Sequence, residues 1–259
     1  MNYGINISAS GAMTAMYRQD VLSNNLANGS TVGFKPDIPA ARQRDSVRAE
    51  DNLEFLPSDE LLEKLGGGLQ LSPNRTKFGQ GALESTSSPL DLAIQGGGFF
   101  VVRNDADLSG DKLRLTRDGR FTKDSQGRIV SAASGMPLLD TNSRTITLRD
   151  TGKVTIDDDG TVHQDGKAIA RIQFTDFPDK SRLQKKGDGV FVATANAMAS
   201  RKPADGTIKQ FAVEASAVDE VGTIMQITSA GRDFESNMNM IAAADRMMER
   251  AINTFGRVS

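Results

Sequence analysis

The sequence predicts an α+β fold in which long N- and C-terminal helices form a coiled-coil domain and an antiparallel all-β domain is inserted between them. Apolar residues recur at helical spacing at both ends of the 259-residue chain, and glycine-containing turns separate short apolar runs in the middle. We predict an N-terminal helix over 1–30, an extended linker over 31–83, a β-rich domain over 84–213 and a C-terminal helix over 214–259. The two terminal helices would form one discontinuous helical domain.

The C-terminal helix is predicted from apolar residues that recur every seven positions after Ala217, where the chain has no proline and no turn cluster. Such spacing is typical of the a and d positions of a coiled coil, and the seam would extend about 48 Å at ~1.5 Å per residue. One series comprises Ile227, Phe234, Ile241, Met248 and Phe255, and the other comprises Ile224, Gly231, Met238, Asp245 and Ile252.

The N-terminal helix is predicted from a stripe of mostly small residues that ends where Asn28-Gly29-Ser30 interrupts the pattern. Because this helix is shorter than the C-terminal one, we expect part of the longer seam to remain for other subunits, with pairing inside one chain as the alternative. The stripe comprises Ile5, Ala9, Ala12, Met16, Leu22 and Leu26.

Turn sequences predict two hairpins in the middle of the chain. The first pairs 113–117 with 120–122 through a two-residue Asp118-Gly119 turn that tolerates positive φ, and the second pairs 153–156 with 161–163. Within the predicted linker, Ser58 can cap a short helix at 58–65.

Composition argues against most catalytic and ligand-binding classes. The 31 basic and 33 acidic residues give a net charge of −2, so no global positive field attracts nucleic acid. The chain has no cysteine, and its one histidine, His163, excludes any site that needs two histidine ligands. We therefore expect no catalytic residue, metal, cofactor, small-molecule substrate or nucleic acid. The start of the chain lacks the basic and apolar regions of a secretory signal, so we expect that if the protein leaves the cytoplasm it does so by another route.

Three motifs suggest ligand chemistry but fit ordinary turns better. The glycine runs 66–68 and 96–98 lack the residues and spacing of phosphate loops. The run Asp157-Asp158-Asp159-Gly160 lacks the first ligand and the final glutamate of a calcium loop. His163 has Asp165 nearby, and we interpret it as an ordinary strand or surface histidine.

Several longer motifs resemble those of the bacterial flagellar rod and hook proteins, and they span nearly the whole chain. Near the N-terminus these are LSNNLAN at 22–28 with Thr31, Gly33, Phe34 and Lys35. In the middle they are PLDLAIQGGGFF at 89–100, TRDGRF at 116–121 and GRIV at 127–130. Near the C-terminus they are VEAS at 213–216, RDFE at 232–235 and ADRMM at 244–248.

The resemblance implies a structural subunit of the flagellar basal-body rod, with terminal helices packed around a central channel in a shaft that transmits torque. Its partners would be copies of itself, other rod proteins, the hook, the bushing rings around the rod and the flagellar type III export apparatus. It would reside in the periplasmic basal body and be exported without a cleaved signal. Chain length and the run at 10–19 favour the proximal over the distal rod type.

The residues that we predict to form the assembly interface lie in the two terminal helices, and those that carry the family motif lie in the β domain. The interface residues are Met16, Leu22, Asn24, Asn25, Leu26, Asn28, Ile224, Ile227, Gly231, Phe234, Met238, Ile241, Met248 and Ile252. The motif residues are Leu90, Asp91, Ala93, Ile94, Gly96, Gly98, Phe99, Phe100, Asp118 and Gly119.

Two alternatives stay open from the sequence. A peptidoglycan-acting enzyme would need two carboxylates facing a cleft, whereas the acids of the middle region lie almost only in turns. A monomeric binding module would pair its two ends only with each other.

Overall fold

The structure, a computed structural model, describes residues 3–50, 55–57, 66–105 and 112–255. These residues form two compact units. The helical unit holds the described residues of 1–27, 37–76 and 219–259, and the β unit holds those of 28–36 and 77–218. Within the described part of the chain, no helix is both long enough and apolar enough to cross a membrane.

The described helices are α1 (Tyr3–Ala27), α2 (Val47–Glu50), α3 (Ala195–Ala199) and α4 (Glu220–Phe255). The strands are β1 (Asp37–Gln43), β2 (Leu69–Thr76), β3 (Leu83–Ser85), β4 (Leu92–Gln95), β5 (Phe99–Arg103), β6 (Leu113–Thr116), β7 (Phe121–Lys123), β8 (Ile129–Ser131), β9 (Val154–Ile156), β10 (Thr161–Gln164), β11 (Lys167–Arg171), β12 (Phe174–Asp176), β13 (Leu183–Lys185), β14 (Val190–Ala193), β15 (Lys202–Pro203), β16 (Thr207–Gln210) and β17 (Ala212–Glu214).

In the helical unit, α1 packs along α4 and against the β1–β2 pair. Helix α4 begins at a cap, because Asp219 Oδ1 accepts the Gly222 N–H at 3.0 Å and satisfies a donor of the first turn. Strands β1 and β2 are antiparallel, with Gln43 opposite Leu69. Two bonds tie the pair to α1: the Leu69 N–H donates to Ser10 Oγ at 3.1 Å, and Tyr17 Oη donates to Asn74 Oδ1 at 2.8 Å.

The β unit is organised around strand β5, which lies inside a six-stranded antiparallel sheet of order β13-β14-β6-β5-β12-β15. Side chains alternate between the two faces of a strand, so a run of four apolar residues supplies two cores. Phe100 and Val102 belong to one buried cluster, and Phe99 and Val101 belong to the other. The apolar run at 99–102 is therefore the centre of this unit.

The predicted fold class, α+β with a coiled-coil domain, is wrong. The described chain is mostly β, with antiparallel sheets, and no long coiled-coil pair is present among its described residues. Helices α1 and α4 touch through small residues, since Ala12, Ala15 and Ala230 are buried and a Cβ on Gly11 would lie 2.6 Å from Asn237 Oδ1. Close packing of small residues leaves no holes for large a and d side chains.

The error lies in the second apolar series. Ile227, Phe234, Ile241 and Met248 of the first series are half-buried, but Ile224, Met238 and Ile252 of the second are exposed. The buried positions lie one residue earlier, at Thr223 and Ala230. Neither is a large apolar residue, so the spacing of large apolar residues in the sequence does not reveal them.

One predicted hairpin is confirmed and one is wrong. Strand β9 pairs with β10, with Val162 opposite Ile156. In contrast, β6 pairs with β5 and β14, whereas β7 pairs with β8. The chain passes from β6 to β7 without the predicted turn because the Gly119 carbonyl accepts the Leu92 N–H at 2.9 Å, which joins this segment to β4 instead.

The range 31–83, predicted as a linker, contains strands β1 and β2. The helix predicted at 58–65 lies outside the described residues. The predicted domain boundaries stay a prediction.

Candidate functional site

A buried cluster of three charged residues lies in the β unit. Lys35, Arg117 and Glu214 have side chains that are 1%, 4% and 1% exposed. Lys35 Nζ donates to Glu214 Oε1, and Arg117 Nη1 donates to Glu214 Oε2 at 2.9 Å. Each carboxylate oxygen thus has its own cationic partner, which is the arrangement that a buried carboxylate requires. We call these three residues the charge cluster.

Backbone groups supply further hydrogen bonds to the charge cluster, while Arg117 Nε is buried without a hydrogen-bond partner among the described residues. Lys35 Nζ also donates to the Gly79 carbonyl at 2.7 Å, and Arg117 Nη2 donates to the Gly96 carbonyl at 2.7 Å. The Gly81 N–H donates to Glu214 Oε1 at 2.8 Å. The cluster therefore joins five chain segments, around Lys35, 79–81, Gly96, Arg117 and Glu214.

Two connecting segments of the β unit meet at the charge cluster, one following α1 and one preceding α4. The Gly33 N–H donates to the Glu214 carbonyl at 2.7 Å, and the Ala217 N–H donates to the Phe34 carbonyl at 3.0 Å. Gly33 has a φ of +69°, and a Cβ there would lie 2.5 Å from the Arg117 carbonyl carbon. Only glycine fits this conformation and this close approach without strain.

The cluster carries two positive charges against one negative charge. Burial lowers the pKa of Lys35 from its ordinary 10.5, while the hydrogen bond and charge of Glu214 act in the opposite direction. The guanidinium of Arg117 also lies over the Phe99 ring, 5.4 Å from its centroid. Such a contact disperses part of the excess positive charge onto the face of the ring.

The buried acids of the described residues are Asp118 and Glu214, and both are held by cations. Asp118 Oδ2 accepts from Arg120 Nη2 at 2.8 Å, and Asp118 Oδ1 accepts the Arg120 N–H at 3.0 Å. The hydrogen bond to Asp118 raises the pKa of Arg120. Carboxyl groups that are paired with cations in this way hold the adjoining segments in place.

The predicted motif residues of the β unit form part of its core and turns. Ala93, Ile94, Phe99 and Phe100 are almost fully buried, as are the backbones of Gly98 and Gly119. Asp118 is buried, Leu90 and Asp91 are half-buried, and Gly96 is exposed. The motif therefore specifies how the β unit folds.

The predicted interface residues of α1 and of the turn after it divide between the interior and the surface. Leu22 and Asn25 are buried, Met16 and Asn24 are exposed, and Leu26 and Asn28 are half-buried. Asn25 pairs with the backbone of β1, since Nδ2 donates to the Asp37 carbonyl at 2.7 Å and Oδ1 accepts the Asp37 N–H at 2.9 Å. This contact holds the last turns of α1 against β1.

Large apolar side chains are exposed along much of α4. We call the following set the exposed apolar surface; its members have between 45% and 71% of their area accessible: Val221, Ile224, Met225, Met238, Met240, Met247 and Ile252. Three of the predicted interface residues belong to this surface, while Gly231 is half-buried and lies outside it. Met13 and Met16 are similarly exposed on α1.

The other predicted motifs behave as turns and ion pairs. The acidic run at 157–160 turns the chain between β9 and β10, where the Gly160 N–H donates to the Asp157 carbonyl at 2.9 Å. The His163 ring lies 2.9 Å from Asp157 Oδ2. Among the described residues, no group of three or more His, Cys, Asp or Glu side chains is placed to hold a metal ion.

The charge cluster was not predicted from the sequence. Its three members occur one in each of three separate motifs, at 22–35, 116–121 and 213–216. Lys35 and Glu214 are each the one charged residue of their motif, whereas Arg117 is one of three charged residues in its own. Pairing across 179 residues, from Lys35 to Glu214, is visible only in the fold.

A β unit with a buried, internally paired charge cluster, together with a long helix that exposes large apolar side chains, is typical of a structural subunit that assembles with other proteins. Comparisons with known proteins define the family. Residues 5–35 match the model of flagella basal body rod proteins. Residues 93–164 match the flagellar hook protein FlgE/F/G D1 domain, and 209–254 match the C-terminal region of flagellar basal body rod FlgEFG proteins.

Full-length relatives agree with these matches. The FlgG basal-body rod protein of Caulobacter vibrioides is 30% identical over 93% of this chain and 95% of its own length. The FlgF basal-body rod protein of the same organism is 30% identical over 100% of both chains. The FlgG protein of Bacillus subtilis is 28% identical over 94% of this chain and 96% of its own length.

The chain belongs to the flagellar basal-body rod protein family, of the FlgF/FlgG type. Proteins of this family are structural subunits of the rod, located in the flagellar basal body and assembled with other axial proteins.

Proposed function

We propose that the chain is a non-enzymatic rod subunit that associates with its own copies through the terminal helices. The resulting shaft transmits torque and encloses the export channel. The exposed apolar surface of α4 carries this proposal, because seven large apolar side chains lie in water along one helix. Monomeric soluble proteins seldom leave so much apolar area uncovered, and covering it drives association.

The proposed contact is heterologous, so that each subunit presents one surface to a different surface of the next. A contact that does not close into a ring extends into a helical array, and many such contacts share the load. Of the predicted interface residues, Met16, Ile224, Met238 and Ile252 are exposed and available for this contact. Leu22 and Asn25 are buried and would contribute by holding α1 in place.

We further propose a periplasmic position in the basal body, reached through the flagellar type III export apparatus without a cleaved signal. Other rod proteins, the hook and the surrounding bushing rings would be the neighbours. The proximal rod is favoured over the distal rod. The full-length match to a FlgF protein, over 100% of both chains, supports that choice.

The proposal is tested by charging the exposed apolar surface in the source bacterium. We expect the double variant Met240→Lys/Met247→Lys to abolish swimming and to leave incomplete rods, because each lysine would have to be buried in the contact. The matched control is Gln226→Lys/Asn239→Lys, which adds the same charge at exposed polar positions of α4. Circular dichroism of the purified variants checks that they fold.

Normal rods and swimming in the Met240→Lys/Met247→Lys strain would contradict the proposal. Equal loss in the control strain would also count against it, since the effect would then reflect added charge and not the apolar surface.

A second test uses Gly231, where an added Cβ meets no described atom within 4 Å apart from the neighbouring backbone of α4 itself. We expect Gly231→Leu to block rod assembly while the purified chain still folds, because the space beside Gly231 is taken by a neighbouring subunit. Normal rods from this variant would show that neighbours do not approach α4 at this position.

A further inference from the structure

Phe211 holds a backbone conformation that aromatic residues rarely adopt. Its φ is +58°, in the left-handed region, where a bulky side chain costs on the order of 1 kcal/mol or more. The conformation is fixed between β16 and β17, where the Phe211 carbonyl accepts the Thr86 N–H at 2.8 Å. The Phe211 side chain is nevertheless 43% exposed, so burial in its own unit does not fully compensate the strain.

The Phe211 ring forms one wall of a surface groove within the β unit. The groove has a volume of about 310 Å³, and Leu90, Leu148 and Val154 supply other apolar parts of its lining. A groove of this size accepts one or two large apolar side chains. We call it the Phe211 groove.

The rim of the Phe211 groove is basic. Lys123, Arg149 and Lys153 line it, with Asp150 as the one acidic residue in its lining. Lys123 Nζ lies 3.2 Å from Asp150 Oδ1, and the Asp150 side chain is 97% exposed. The surplus of positive charge favours an occupant that carries carboxylates beside its apolar side chains.

One segment of the chain has that complementary chemistry. Residues 50–65 contain six acidic residues and one basic residue, together with Leu53, Phe55 and Leu56. Phe55 is 79% exposed. Arg48 holds the adjoining backbone by donating to the Leu56 and Pro57 carbonyls at 2.9 and 2.8 Å. An exposed aromatic residue with acidic neighbours in sequence matches both the lining and the rim of the groove.

We propose that the Phe211 groove binds the Phe55–Leu56 segment of a neighbouring copy of this chain. Phe55 would pack against the Phe211 ring, and the negative charge of the surrounding sequence would complement the basic rim. A paired, desolvated aromatic contact ringed by charges is the usual centre of a protein interface. This proposal rests on the proposed self-association of the chain and names one contact within it.

Disulfide trapping tests the proposal directly, because the chain has no cysteine of its own. Two full-length single-cysteine proteins, Pro57→Cys and Lys153→Cys, are mixed at assembling concentration and oxidised mildly; Pro57 is exposed and follows Leu56, so the first variant keeps both Phe55 and Leu56. We expect a mixed disulfide dimer in at least about tenfold higher yield than for Pro57→Cys with Lys186→Cys. Lys186 is exposed and does not line the groove.

Four outcomes separate the possibilities. Equal yields in the two mixtures would overturn the groove proposal. A crosslink that forms only inside one chain, in the double variant Pro57→Cys/Lys153→Cys, would overturn the choice of a neighbouring copy. Self-association without the expected crosslink would refute this contact alone, whereas failure of the chain to self-associate at all would refute the proposed function.

Phe211→Gly provides a second measurement that does not depend on the added cysteines at the rim. Glycine relieves the left-handed strain, so we expect an unfolding temperature equal to or above that of the parent chain. In the same variant, self-association is expected to weaken at least about tenfold, while Phe211→Tyr keeps both the ring and the association. Unchanged self-association of Phe211→Gly would overturn the proposal.

Discussion

The two units of this protein treat charge and apolar surface in opposite ways. In the β unit, Lys35, Arg117 and Glu214 are buried together, and the large apolar side chains of β5 are fully covered. In the helical unit, the Arg18–Asp233 pair is 3.7 Å apart with side chains 44% and 53% exposed, and methionines lie in water along α4. The β unit buries these charges and apolar side chains within itself, whereas the helical unit leaves large apolar side chains exposed along α4. Perturbing each unit in turn tests this comparison.

The largest effect is expected from Glu214→Ala. This change leaves two buried cations without their carboxylate, which costs about 3–5 kcal/mol in the free energy of unfolding. Denaturant unfolding of the purified chain measures it. Glu84→Ala, on the neighbouring strand β3 but exposed, is the control and is expected to change stability by less than about 0.5 kcal/mol. Similar losses of unfolding free energy in both variants would show that the charge cluster contributes no more to stability than an exposed glutamate does.

The next-largest effect is expected from replacing a glycine by alanine, which should lower stability in the β unit and raise it in the helical unit. A Cβ on Gly119 would collide with the Leu92 carbonyl, so Gly119→Ala should destabilise the β unit by about 1–3 kcal/mol. Gly231→Ala, inside α4 with no atom near its new Cβ, should stabilise the purified chain by up to about 1 kcal/mol. Thermal unfolding of the two variants distinguishes them, and a shift in the same direction for both would contradict the comparison.

A smaller, pH-dependent effect is expected from Lys35. Because burial lowers the pKa of Lys35 in the folded state, the unfolded chain binds more protons between that lowered pKa and 10.5. The free energy of unfolding therefore increases as pH rises from the lowered pKa to 10.5. Below that window Lys35 makes no pH-dependent contribution to stability. We expect Lys35→Met to lose this contribution and the exposed Lys186→Met to keep it. An identical pH profile of unfolding for Lys35→Met and the parent chain would refute the assignment.

The smallest effect is expected from the ion pair of the helical unit. Arg18→Ala should lower stability by no more than about 1 kcal/mol, because both partners are exposed and screened by salt. The measurement is chemical unfolding at low and at high salt. A loss as large as that of Glu214→Ala would erase the distinction between the two units.

Local patterns predicted the elements better than they predicted how the elements pair. Helices α1 and α4 and the β9–β10 hairpin follow from spacing and turn residues within a few positions of each other. The Asp118-Gly119 segment looked like a hairpin turn, but Gly119 bonds to Leu92, 27 positions earlier in the chain. Turn propensity carries no information about so distant a partner.

The sequence predicted some parts of the candidate site and missed others. It predicted the apolar series of α4 and included Asn25 among the interface residues, because both are local features of a helix. The packed face of α4 was misjudged because it is made of Thr223 and Ala230, whose small side chains give no apolar signal. The charge cluster was missed because its members stand far apart in the chain.

By itself the sequence determined the terminal helices, the β-rich middle and the family, since each rests on contiguous motifs whose residue order is enough to identify them. Only the tertiary structure decided the mostly β architecture, the small-residue contact between α1 and α4, and the meeting of Lys35, Arg117 and Glu214. The physical reason is that burial and charge neutralisation depend on which segments are neighbours in space. The same lysine that would be a solvated surface charge in an isolated segment becomes, at 1% exposure, a group that must be paired.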